Sequence, residues 1–189
     1  MKLVRNIFLV LIAIVLLSSF TVTAAVRGNK TLTEQDKYFM QLAIKKTKEG
    51  VKDGQTPFGA CIIKDGKIVV CAHNVVWKTT DITAHAEINA IRQACKKLNT
   101  IDLSGCTIYS TTEPCPMCFS ACHWAMISKI IFGTSIEDAK KAGFNELTVS
   151  NEKMKLLGMS YLDVTGNFLK EENLELFKMW LASLKMMAY

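Results

Sequence analysis

The chain has 189 residues, 23 basic and 17 acidic side chains for a formal net charge of +6, and half of its residues are hydrophobic. That length suits one globular domain with a sizeable core plus a short extra segment, and argues against a multidomain assembly. Part of the basic excess lies in Lys2 and Arg5, and no basic run exceeds two residues, so nothing marks nucleic acid as the main partner.

In chain order, Lys2 and Arg5 precede an apolar stretch from Ile7 to Leu17, followed by the small and polar residues Ser18 to Ala25. A basic start, a short apolar run and small residues predict a secretory signal peptide over residues 1–25, hence an exported protein, periplasmic or secreted. The apolar run falls short of the roughly 20 residues that span a bilayer. An uncleaved N-terminal anchor is the alternative, and it is the one expected route to a membrane. Residues 26–33 then form a polar linker, and residues 34–189 one domain. There are no internal repeats and no low-complexity segments.

Thr33 is placed to cap a helix from about Glu34 to Glu49, ended by Gly50. Apolar runs near Gly59–Ile63 and Lys67–Asn74 flank Asp65-Gly66, which predicts a hairpin. A loop from Val75 to Ile82 leads to a helix near Ala84–Leu98, with Ile88, Ile91, Ala94 and Leu98 at helical spacing. Cys106–Thr111 is predicted as a buried strand, Pro114 to about Met126 as a helix, and Lys129–Gly133 as a short strand. Residues 135–160 are less regular. A last helix from Glu171 to Met187 puts Leu174, Phe177, Trp180, Leu181 and Leu184 on one face. A helix and a hairpin followed by helix–strand–helix–strand crossovers predict an α/β fold with a mixed sheet and helices on its faces.

There are seven cysteines, an odd number not spaced like a disulfide framework. Most have apolar neighbours and are expected to be buried. Cys61 and Cys71 flank the hairpin turn and look pairable, but a two-residue turn sets Cys61 opposite Val70 and Cys71 on the other face, so they are not an easy pair.

The chemistry lies in two short segments, Thr83-Ala84-His85-Ala86-Glu87 and Glu113-Pro114-Cys115-Pro116-Met117-Cys118. His85, Cys115 and Cys118 would supply three ligands to one zinc ion and leave its fourth position open, the pattern of a catalytic site. Both halves fall at predicted helix starts, where partial positive charge favours thiolates. Glu87 is the carboxylate placed to move protons for an activated water. In a full helix it would point about 160° away from His85, so it is not a fourth ligand. Alone, a C-x-x-C is as readily a structural zinc half-site. In order and on matching helices, H-x-E and P-C-x-x-C form the zinc deaminase signature.

The wider sequence resembles bacterial guanine deaminases of the cytidine deaminase-like superfamily. The resemblance is carried by Thr56-Pro57-Phe58-Gly59-Ala60, Ile63-Lys64-Asp65-Gly66, His73-Asn74-Val75, the two zinc segments, Ala90-Ile91-Arg92, Trp124-Ala125 and Ala142-Gly143-Phe144. It covers about Lys37 to Tyr189. It implies a three-layer α/β/α sandwich with a five-stranded mixed sheet, one zinc ion per subunit, and conversion of guanine to xanthine and ammonia. It implies a nucleobase-binding shell of Asn74, Phe58, Trp124, Glu146 and Tyr189. It also implies a homodimer in which the C-terminal helix is exchanged. Glu146 stands where that family has an aspartate, and His123 stands where it has a tyrosine. A carboxylate at Glu146 suits guanine, whose N1–H and 2-amino group are adjacent donors. Three readings compete: a tRNA adenosine deaminase, a cytosine, nucleoside or pterin deaminase on the same fold, and a non-catalytic zinc-binding module.

Overall fold

Thr33 accepts a hydrogen bond from the Asp36 amide while Asp36 accepts one from the Thr33 amide, closing a capping box at the start of the first helix. The computed structural model describes residues 32–183. The expected signal segment, most of the linker and Tyr189 lie outside the described residues. Helix α1 spans Glu34–Lys52 and passes through Gly50 instead of stopping there. A Cβ on Gly50 would stand 2.7 Å from the His73 ring, so this glycine permits close packing and does not end the helix.

Strands β1 (Gly59–Lys64) and β2 (Lys67–His73) form the expected antiparallel hairpin. Helices α2 (Val76–Thr79) and α3 (Ala86–Leu98) follow, then β3 (Cys106–Thr112), α4 (Pro116–Trp124) and β4 (Lys129–Thr134). The irregular stretch contains two short helices, α5 (Ile136–Lys141) and α6 (Asn151–Leu157). A fifth strand, β5 (Asp163–Thr165), and α7 (Lys170–Leu181) complete the order. The sheet runs β2-β1-β3-β4-β5, with the β2/β1 and β1/β3 pairs antiparallel and the β3/β4 and β4/β5 pairs parallel.

Both faces of this sheet are covered, so β1, β3 and β4 are buried along most of their length, and β1 and β4 carry successive apolar residues instead of alternating. Ala60, Ile62, Ile108, Ile130 and Phe132 point to one face, against Ala86, Ala90 and Ala94 of α3 and Phe119 and Cys122 of α4. The small alanines of α3 let that helix lie close to the sheet. Tyr109 points to the other face, where its hydroxyl donates to Asp36 of α1 at 2.6 Å and its ring packs on Phe39. Helix α7 packs against α1 and β4, burying Phe177 and Trp180 with Val51, Ala139 and Phe144. Its buried stripe is Asn173, Leu176, Phe177 and Trp180, rotated from the expected one, and Leu181 is exposed.

The hairpin corrects the expectation for the cysteines. The pairing shifts by one residue between Ile63↔Ile68 and Ile62↔Val70, leaving Val69 as an extra residue in β2. Val69 and Ala72, three apart, then both face the core, and Cys61 comes opposite Cys71. The two form a disulfide across a Cα separation of 4.0 Å.

Candidate active site

His85 and Cys115 are the N-cap residues of α3 and α4, each with extended backbone (ψ 161° and 166°). Neither caps its helix with its side chain. His85 Nδ1 instead lies 3.7 Å from Cys115 Sγ and 3.6 Å from Cys118 Sγ. A tetrahedral zinc with Zn–N near 2.05 Å and Zn–S near 2.3 Å would separate nitrogen and sulfur by about 3.6 Å. The three ligand atoms all lie within 4.8 Å of one another, so His85, Cys115 and Cys118 are positioned to hold one metal ion.

The electrostatics single out Cys115 as the thiolate of the pair. A hydrogen bond from Cys118 holds the Cys115 thiol down at about 4 against the opposing effect of burial, with His85 adding to it. Cys118 is pushed well up by the same bond and by burial. The start of α4 adds the positive end of a helix to both sulfurs.

Because His85 is extended, the angular relation expected for a continuous helix does not apply to the His85–Glu87 pair. Glu87 is buried in the first turn of α3, and Ser110 of β3 donates its hydroxyl to Glu87 Oε1 at 2.8 Å. Burial raises the Glu87 carboxyl, and the adjacent His85 charge opposes that rise. Ser110 was not singled out in the sequence. Nothing local marks it, since β3 carries several hydroxyl side chains, each of which needs a partner when buried.

A cavity of about 320 Å³ opens on His85 and Cys115, and Met117, Glu146 and Leu147 also line it. Burial pushes the Glu146 carboxyl up to about 7, with the charge of Cys115 adding and that of His85 opposing. Met117 and Leu147 were not predicted. They add apolar walls on which a flat base can lie.

Asn74, Phe58 and Trp124 are not among the residues that line this cavity. Asn74 is fully buried, and its Oδ1 accepts the Val76 amide at 3.0 Å, anchoring the start of α2. Phe58 is half-buried in an aromatic cluster, edge-on to Phe144 at 4.7 Å and to Phe177 at 6.1 Å. Trp124 does not line the cavity within this chain and is 82% exposed. The reason is geometric: it ends α4 while Cys115 begins it, and nine residues of helix put about 13 Å between them. His123 next to it accepts or donates at Ser160 Oγ (2.9 Å) and stacks on Tyr161.

Residues 33–134 match the family described as the cytidine and deoxycytidylate deaminase zinc-binding region, and the chain belongs to that family as a zinc-binding deaminase. Among characterised relatives, the guanine deaminase of Bacillus subtilis is 42% identical over 115 residues, covering 60% of this chain and 74% of its own. The tRNA-specific adenosine deaminase of Aquifex aeolicus is 45% identical over 106 residues, covering 56% of this chain and 69% of its own. The solved guanine deaminase of Nitrosomonas europaea is 25% identical with a TM-score of 0.73, covering 80% of this chain and 86% of that one. The five-stranded mixed sheet with its flanking helices is the cytidine deaminase-like fold of such neighbours.

Proposed function

We propose that the chain deaminates a free purine base hydrolytically, taking guanine and water to xanthine and ammonia. The observation that carries this reading is Glu146, a half-buried carboxylate that lines the same cavity as His85 and Cys115 and interacts electrostatically with both. Its two oxygens can accept from guanine N1–H and from the 2-amino group, whereas adenine offers an acceptor at N1. The similarity to the guanine deaminases supports the same choice.

Zinc held by His85, Cys115 and Cys118 would polarise the attacking water and lower its pKa. The chain's own residues do the rest. Ser110 fixes one oxygen of Glu87, so the other is the one that takes the proton from water. Glu87 passes that proton to the ring nitrogen, then carries water's second proton, released as the new oxygen on the ring carbon becomes a carbonyl, to the amine that leaves as ammonia. Met117 and Leu147 offer apolar surface to the ring within the cavity lining.

The similarity to tRNA adenosine deaminases favours a second reading, adenosine within RNA. A rate assay on guanine, guanosine, adenine, cytosine and tRNA separates the two. Ammonia from tRNA and none from guanine would establish the second.

We further infer a homodimer and an exported protein whose domain begins near residue 34. Trp124 at the end of α4, Leu156 and Leu157 in α6 and Met159 just after it are all more than 75% exposed, which supports a protein partner there. Sedimentation at micromolar concentration tests the dimer, and a sharp monomer would refute it. No helix among the described residues is long and apolar enough to cross a membrane. The Cys61–Cys71 bond suits an oxidising compartment. Cell fractionation with N-terminal sequencing tests export, and an intact Met1 on cytoplasmic protein would refute it.

A further inference from the structure

Glu113 separates the end of β3 from the zinc-ligand segment, and it is a buried carboxylate. Its two oxygens face two different helix starts. Oε1 accepts the Asn151 amide of α6 at 2.7 Å, and Oε2 accepts the Ile136 amide of α5 at 3.1 Å. Asn151, fully buried, returns the contact: its Nδ2 donates to the Pro114 carbonyl at 2.6 Å. Between those two amides runs the excursion that carries Glu146 to the cavity.

Glu113 therefore holds both ends of one loop, from a position two residues before the zinc ligand Cys115. The loop has little regular structure between Ala142 and Ser150, so its conformation depends on where its ends are fixed. A carboxylate suits this task because it offers acceptors in two directions at once, and charge strengthens bonds to backbone amides. A glutamine in its place keeps the size and one acceptor, but turns an NH₂ group toward a second donor.

We propose that Glu113, latched by Asn151, is a positioning residue that fixes the distance between the substrate-reading carboxylate of Glu146 and the metal ligands. It touches neither base nor metal and acts through the loop. This rests on the reading of Glu146 as the base-recognition residue, and it makes the specificity of the site depend on a residue of the metal segment.

Two variants test it in zinc-loaded, full-length protein, Glu113→Gln and the milder Asn151→Ala. Both are expected to keep one zinc per chain, to raise KM for guanine about tenfold, and to change kcat by less than about threefold. In a Glu146→Gln background the added effect of Glu113→Gln on KM should vanish, because the residue through which it acts is already lost. An equal further rise in that background would overturn the proposal and leave Glu113 a general stability residue. Hydrogen exchange gives a readout independent of substrate. Amides of residues 142–150 should exchange faster in Glu113→Gln while those of β3 stay protected, and unchanged loop exchange would overturn the latch. A wild-type protein inactive on guanine would defeat the substrate assignment instead, and the exchange result would still decide the latch.

Discussion

Ser110 of β3 donates its hydroxyl to Glu87 Oε1 at 2.8 Å, tying a buried carboxylate on a helix to the central sheet. The two residues are 23 apart in sequence and both are buried, so the sheet supplies a rigid reference for Glu87. Glu87→Gln should keep zinc and lose turnover on the order of a thousandfold, the range for removing a general acid–base group. Ser110→Ala should lower kcat about tenfold with KM and zinc content nearly unchanged, and Ser110→Thr should restore most of it. Steady-state kinetics with metal analysis checks both. A Glu87→Gln protein that stayed active would remove Glu87 from its role.

Removal of the metal should abolish activity, and added zinc should restore it. Cys115 is half-buried while Cys118 is fully buried, so chelation should make Cys115 the first of the two to react with a thiol probe. Cys118→Ser should weaken zinc binding as well as turnover. Full activity in a chelated, metal-free sample would contradict the site as described.

The Glu146 carboxyl, raised by burial to about 7, is uncharged below that pH and charged above it. Only the charged form accepts from both guanine donors. KM for guanine should therefore rise as pH falls through about 7, while kcat follows other groups. Glu146→Ala should raise KM by roughly ten- to a hundredfold, as expected for losing hydrogen bonds to a charged acceptor, and should flatten this pH dependence. Unchanged guanine affinity in that variant would exclude Glu146 from recognition.

The Cys61–Cys71 bond closes a loop of ten residues, which in the chain-entropy view stabilises the fold by about 2–3 kcal/mol. Cys71→Ala should lower stability by that order without affecting zinc content, measurable by denaturant unfolding of oxidised protein. Equal stability of the oxidised and reduced wild type would contradict the assignment.

Local signals carried much of the fold. The capping pattern at Thr33, the Asp65-Gly66 turn and the helix starts at His85 and Cys115 all depend on residues within a turn of each other. The metal set was legible for the same reason: two short motifs, each on its own helix start, converge once β3 lies between them. What was not legible depends on distant partners. The extra residue at Val69 makes no local pattern, yet it moves Cys71 into register with Cys61. Strand β5 is three residues long and exists because β4 offers it an edge. Gly50 looked like a stop signal because its reason, the His73 ring, is 23 residues away. Trp124 was assigned to the pocket by resemblance, and the length of α4 carries it away from the metal in its own chain. The Glu113 bridge was invisible because its partners are two backbone amides, which no side-chain motif announces.

The most direct measurement is ammonia release by the zinc-loaded protein from guanine, set beside guanosine, adenine, cytosine and tRNA at equal enzyme. The account predicts that guanine is turned over at least tenfold more efficiently than any other, with xanthine as product and the rate lost in Glu87→Gln. Deamination of another substrate with none from guanine would contradict it.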